Sequence, residues 1–213
     1  GFRYAAVRRP IKNEATHDYV RTTVYIAPFT ALIPPNNSYN VATLLTPEDD
    51  TNTIFYFIAW NGADKPGIPA DQWRKFNVLE WGVDVDADFN SVRNAGNLYQ
   101  QDRAAMKAGN FTGIAGIPNQ DVAMWESMGP IGDRSQERVG HSDFAVTAFR
   151  RQMVEAARSM AEGGPAIGTT APHMPHAGIS SYEGVMPKSV NWRALGGGSE
   201  TGADEEAKIT AAE

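Results

Sequence analysis

Asp18-Tyr19-Val20-Arg21-Thr22-Thr23-Val24-Tyr25-Ile26 alternates with a period of two, placing Val20, Thr22, Val24 and Ile26 on one side and Tyr19, Arg21, Thr23 and Tyr25 on the other. Successive side chains of an extended chain point to opposite faces, so this β-branched and aromatic run predicts a strand. Upstream, Phe2-Arg3-Tyr4-Ala5-Ala6-Val7 reads as a strand already under way in a chain without an initiator Met. A fragment lacking its upstream part is expected. Downstream, Pro28 and Pro34-Pro35-Asn36-Asn37 interrupt the pattern and predict a turn, because proline fixes φ and has no N–H to give a ladder. Ser38 to Thr46 and Thr53 to Trp60, separated by Pro47-Glu48-Asp49-Asp50, are expected to pair as antiparallel strands.

Beyond Gly62 the texture changes to short helical patches, including Asp71 to Phe76 and Tyr99 to Lys107. Another helix is predicted over Gln120 to Met128, preceded by Pro118 and ended by Gly129-Pro130. The longest begins at Ser142, a candidate N-cap followed by Asp143 in the first turn. Its apolar stripe is Val146, Phe149, Met153, Ala156, Ala157 and Met160, closed by Gly163-Gly164-Pro165. Strands first and a long closing helix afterward predict an α+β fold, an antiparallel sheet folded around that helix. Residues 1–168 form the expected domain. From 169 to 213 periodicity disappears, and the stretch from Glu200 holds five acids and one lysine, predicting a flexible acidic extension.

Composition limits the chemistry. Against 25 acidic side chains stand 19 basic ones, a formal charge of −6 over 213 residues. That balance offers no electrostatic footprint for nucleic acid or an anionic membrane surface. The longest apolar run, Ile54 to Trp60, falls far short of the ~20 residues of a membrane-spanning helix, and the expected location is the cytoplasm. Zero cysteines exclude disulfides, thiolate nucleophiles and cysteine-held clusters. Neither a P-loop nor a dinucleotide-binding glycine spacing is present.

The four histidines are His17, His141, His173 and His176. His141-Ser142-Asp143 has the H-x-D form of some iron sites, but Ser142 and Asp143 serve better as cap and first turn of the helix that follows. His173 and His176 lie in the irregular tail, and His17 reads as a turn or edge residue. No histidine makes a metal site alone. Asp121, near a helix start and flanked by Met124, Trp125 and Met128, reads from its residues as a cap or first-turn acid.

A resemblance alters that reading. The run from Gly109 to Ile131, containing Asn119-Gln120-Asp121-Val122-Ala123-Met124-Trp125-Glu126, is similar to the C-terminal catalytic part of Rieske non-haem iron oxygenases, more narrowly the oxygenase (alpha) subunits of phthalate 4,5-dioxygenase type. Asp133-Arg134-Ser135, Phe149-Arg150-Arg151, Gly1 to Ala5, His17 to Thr23 and Leu32 to Asn37 agree with it in order. The similarity covers most of residues 1–168 and little after Thr170. It implies a helix-grip fold and makes Asp121 the carboxylate of a mononuclear Fe(II) facial triad, whose oxygen and two imidazoles leave one face open for O2 and substrate. The two histidines belong, in that family, to an H-x4-H segment absent here, and the [2Fe-2S] Rieske cluster needs cysteines this chain lacks. Both are expected in a missing N-terminal part.

The activity so implied is dihydroxylation of an aromatic ring, or O-demethylation of a methoxyarene, with electrons from NAD(P)H through a ferredoxin-type reductase and the subunits assembled as trimers or hexamers. Arg21 either binds a substrate carboxylate through two parallel hydrogen bonds or faces solvent. Met124 and Trp125 are candidate pocket walls or ordinary core residues. A different class of function fits the same fold: a non-catalytic helix-grip module holding an apolar small molecule. A scaffold role through the acidic tail rests on composition only.

Overall fold

The structure is a computed structural model describing residues 1–36, 39–62, 65–170 and 178–195. Its centre is β2 (His17–Ile26), the strand that the alternating stretch predicts. On one edge β2 pairs antiparallel along its length with β1 (Phe2–Arg8), from Phe2 opposite Tyr25 to Arg8 opposite Tyr19. Its other edge is shared. β3 (Thr30–Asn36) takes Val24 to Ile26, and β6 (Tyr182–Pro187) takes His17 to Thr22. These two strands lie end to end, tied where Ser181 donates to the Ile33 carbonyl at 2.7 Å. β4 (Tyr39–Pro47) and β5 (Thr53–Trp60) then extend the sheet beyond β3 as the expected antiparallel pair. The result is an open antiparallel sheet of six strands with helices, an α+β arrangement of helix-grip type.

The chain divides into two compact units, one of 1–49, 53–65 and 138–213, the other of 50–52 and 66–137. In the first, the two faces of β2 are covered by different segments. Val20, Thr22 and Val24 face two clusters: Val20 with Met186 and Leu195, and Val24 with Leu32 and Ala42. Val190, Trp192 and Ile179 from the C-terminal stretch pack against them. On the opposite face, Tyr25 meets α4 (Phe144–Ala161), stacking edge-on with Phe149 at 5.2 Å between ring centroids.

Four sequence expectations change. Thr30 to Ile33 form a strand that runs into Pro34-Pro35, where a turn was expected; the ladder register shifts at that point, as a missing N–H requires. The stretch 169–213 is not an extension throughout: 182–187 are β6, and Met186 and Leu195 are almost wholly buried. The acidic residues from Glu200, like His173 and His176, lie outside the described residues. The long helix starts at Phe144 after a 3-10 turn at His141–Asp143, so Ser142 is not its cap; Asp143 is, and its carboxylate accepts the Gly140 N–H at 2.8 Å. Along the expected α4 stripe, Met153 and Ala156 are half-buried, whereas Val146, Phe149, Ala157 and Met160 stay exposed.

The second unit contains α1 (Ala70–Asn77), α2 (Arg103–Lys107) and α3 (Ile117–Ser127). Its loop 80–93 closes on a buried ion pair, Arg93 Nη1 to Asp84 Oδ1 at 2.7 Å, while Asp84 Oδ2 accepts the Glu80 N–H. Tyr99 to Lys107 is only partly helical. Asp102 caps α2 by accepting the N–H groups of Ala104 and Ala105, and before it Leu98, Tyr99 and Gln100 take φ values of 53°, 55° and 52°. Three successive non-glycine residues in the left-handed region cost about 1–2 kcal/mol each.

Candidate functional site

Asp121 sits on α3, whose position is set by the segment before it. Asn110 Oδ1 accepts the N–H groups of Thr112 and Gly113, and Gln120 donates to the Ile114 carbonyl. The buried Asn119 amide donates to both Val78 and Ala115 carbonyls at 2.9 Å. Gly116, the N-cap, has φ of 82° and lies so close to the Asn77 carbonyl that a Cβ has no room. Pro118 occupies the first turn, where its lack of an N–H is harmless.

This start three residues earlier than expected removes the ordinary explanation of Asp121. It lies in the second turn, not at a cap or in the first turn, and accepts no helix N–H. Among the described residues it has neither hydrogen bond nor ion pair, although neighbouring protein atoms desolvate its carboxyl enough to raise the pKa above the usual carboxylate value. Asp121 is nevertheless an exposed residue. Met124, Trp125 and Met128 follow at i+3, i+4 and i+7 on the same stripe and are exposed by 63%, 39% and 63%. Met124 and Trp125 are therefore not core residues. An unpaired carboxylate bordered by open apolar surface can offer hard oxygen to a cation and a dry wall to a ring.

Asp121 suits Fe(II) as one donor. Among the described residues no three His, Cys, Asp or Glu side chains assemble as a metal-binding set. His17 opens β2 with Nδ1 2.8 Å from the Thr16 hydroxyl, and His141 packs against Phe144. With no cysteine anywhere in the chain, its residues do not fit a Rieske cluster.

Arg21 lies on the face of β2 that also carries Tyr25, the face against which α4 packs. It stands directly opposite Glu183 of β6, Nε 3.5 Å from Oε2. Tyr19 Oη donates to the other carboxylate oxygen, Oε1, and that hydrogen bond is the main reason its phenol titrates above the ordinary value. Arg8, opposite Tyr19 on β1, emerges on the same face. Sequence reasoning singled out Arg21 and missed Glu183 and Tyr19 beside it. Nothing in the irregular C-terminal sequence announced the strand that brings Glu183 there.

The chain belongs to the family described as LigXa C-terminal domain like, whose model matches residues 1–212. It is 54% identical over 193 residues, 91% of the chain, to a phthalate 4,5-dioxygenase oxygenase subunit of Pseudomonas putida. It is 31% identical over 201 residues to a 3-chlorobenzoate-3,4-dioxygenase oxygenase subunit of Comamonas testosteroni. The chain spans 44% of the length of each of these relatives. The resemblance to oxygenase subunits of phthalate 4,5-dioxygenase type is borne out, and the family match extends through the C-terminal stretch to residue 212. Among the described residues no helix is long and apolar enough to cross a membrane.

Proposed function

We propose that the chain is the C-terminal catalytic part of a Rieske-type oxygenase and that Asp121 supplies the carboxylate of its mononuclear Fe(II) site. The observation that carries this reading is the solitary, partly desolvated Asp121 carboxyl in mid-helix, with no structural partner to account for it. The dioxygenase names of both relatives support it. The other two donors are imidazoles from residues outside this chain, and electrons come from NAD(P)H by way of a reductase and the Rieske cluster.

When bound, Fe(II) supplies the reaction of O2 with an aromatic ring, the chemistry that no protein side chain provides. The protein's own work is placement. Asp121 offers one anionic oxygen and leaves neighbouring coordination positions to other ligands. Met124 and Trp125 present apolar area that excludes water from a bound ring. Arg21 binds a ring carboxylate, since a guanidinium edge matches the two oxygens of that group. The substrate class is thus an aromatic acid such as phthalate, and the active form is a homo-oligomer.

The test is Asp121→Ala in the full-length oxygenase. Iron at the mononuclear site falls at least ten-fold and ring oxidation falls to background, while the visible absorbance of the Rieske cluster is retained. Wild-type mononuclear iron and turnover in the variant overturn the proposal.

A further inference from the structure

Arg21 and Glu183 are direct cross-strand partners on the face of the sheet that also carries Tyr25, yet they are incompletely bonded. Arg21 Nε and Glu183 Oε2 are both shielded from water and neither has a hydrogen-bond partner; the 3.5 Å between them is too long to be one. Glu183 is held at that distance by its second oxygen, which accepts from Tyr19 Oη. The two Nη groups of Arg21 make no hydrogen bond to any described residue, and they are not among the buried, unsatisfied atoms. The guanidinium is therefore flanked by a carboxylate on its Nε side and keeps its Nη edge for something else. With Arg8 on the same face, the described residues of β1, β2 and β6 place two cations against one anion there.

We propose that Glu183, positioned by Tyr19, sets the charge selectivity of Arg21 for the ring substituent that it binds. This inference rests on Arg21 as the carboxylate-binding residue. A second carboxylate beside the guanidinium repels an incoming anion and cancels part of the attraction, so the face tolerates a carboxylated ring without holding it as tightly as a bare arginine would. Tyr19 matters because a carboxylate freed from the phenol can close the gap and occupy Nε fully. Glu183 and Tyr19 are positioning residues: they act on the ligand through Arg21.

The experiment measures dissociation constants of phthalate and of its uncharged diamide for the full-length oxygenase. Glu183→Gln keeps the volume of the side chain and an oxygen for Tyr19, and removes the charge. It is expected to tighten phthalate about ten-fold and to leave the diamide within about two-fold, the scale of one like charge nearby at partial exposure. Tyr19→Phe is expected to weaken phthalate several-fold, again sparing the diamide. Glu183→Gln with unchanged or weaker phthalate binding, or with both ligands tightened equally, overturns the proposal. Arg21→Met separates the two ideas. If it leaves phthalate binding unchanged, the assignment of Arg21 fails; if it weakens phthalate while Glu183→Gln has no selective effect, only the role of Glu183 fails.

Discussion

Tyr25 joins the sheet to its helix through one ring. Its hydroxyl donates to the Pro28 carbonyl at 2.7 Å, the same oxygen lies 3.3 Å from Met153 Sδ, and Phe149 covers the ring. Burial raises its pKa above the ordinary 10.0. The folded state therefore favours the protonated phenol, and that contribution is fully present below about pH 10 and lost as the pH rises through the higher folded value. Tyr25→Phe is predicted to cost about 1 kcal/mol at neutral pH, the lost hydrogen bond, and to flatten the alkaline fall of Tm. Melting curves from neutral to strongly alkaline pH check both; an unchanged alkaline slope contradicts the assignment. Asp121 was read from its residues as a cap or first-turn acid, and the structure places it elsewhere. Its sequence neighbours suggested a cap, because Pro118 looked like a residue before the helix, whereas proline fits inside the first turn and moves Asp121 to the second.

At the scale of elements, strands whose side chains alternate regularly, such as β2 and β5, were readable and strands without that alternation were not. β5 shows the readable case: Phe55, Phe57 and Ala59 are half-buried, while Ile54, Tyr56, Ile58 and Trp60 face outward, 38% to 46% exposed. β6 shows the other. Tyr182 and Val185 favour a strand, but Gly184 and Pro187 disfavour one and the run is only six residues long, so no polarity alternation stands out. β3 was hidden by its prolines. Tyr99 was hidden for a different reason: composition favours a right-handed turn, and the cap formed by Asp102 restarts the helix after a left-handed one. If β6 is integral to the sheet, Met186→Ala should destabilise the protein by about 2–5 kcal/mol, the cost of truncating a fully buried methionine. Denaturant unfolding measures it, and a loss below about 0.5 kcal/mol contradicts a core position for β6.

For the whole molecule, the fold class was legible in the alternation, whereas the proposed iron ligand entered only through resemblance, since one carboxylate without its imidazoles has no spacing to read. The family match covers residues 1–212, and the chain spans 44% of the length of both relatives. The most direct test is an iron-edge anomalous difference map from crystals of the full-length oxygenase. A single mononuclear iron peak about 2 Å from an Asp121 carboxylate oxygen, with two histidine nitrogens completing the set, is the predicted result. Iron held by other side chains, with Asp121 facing bulk water, contradicts the account.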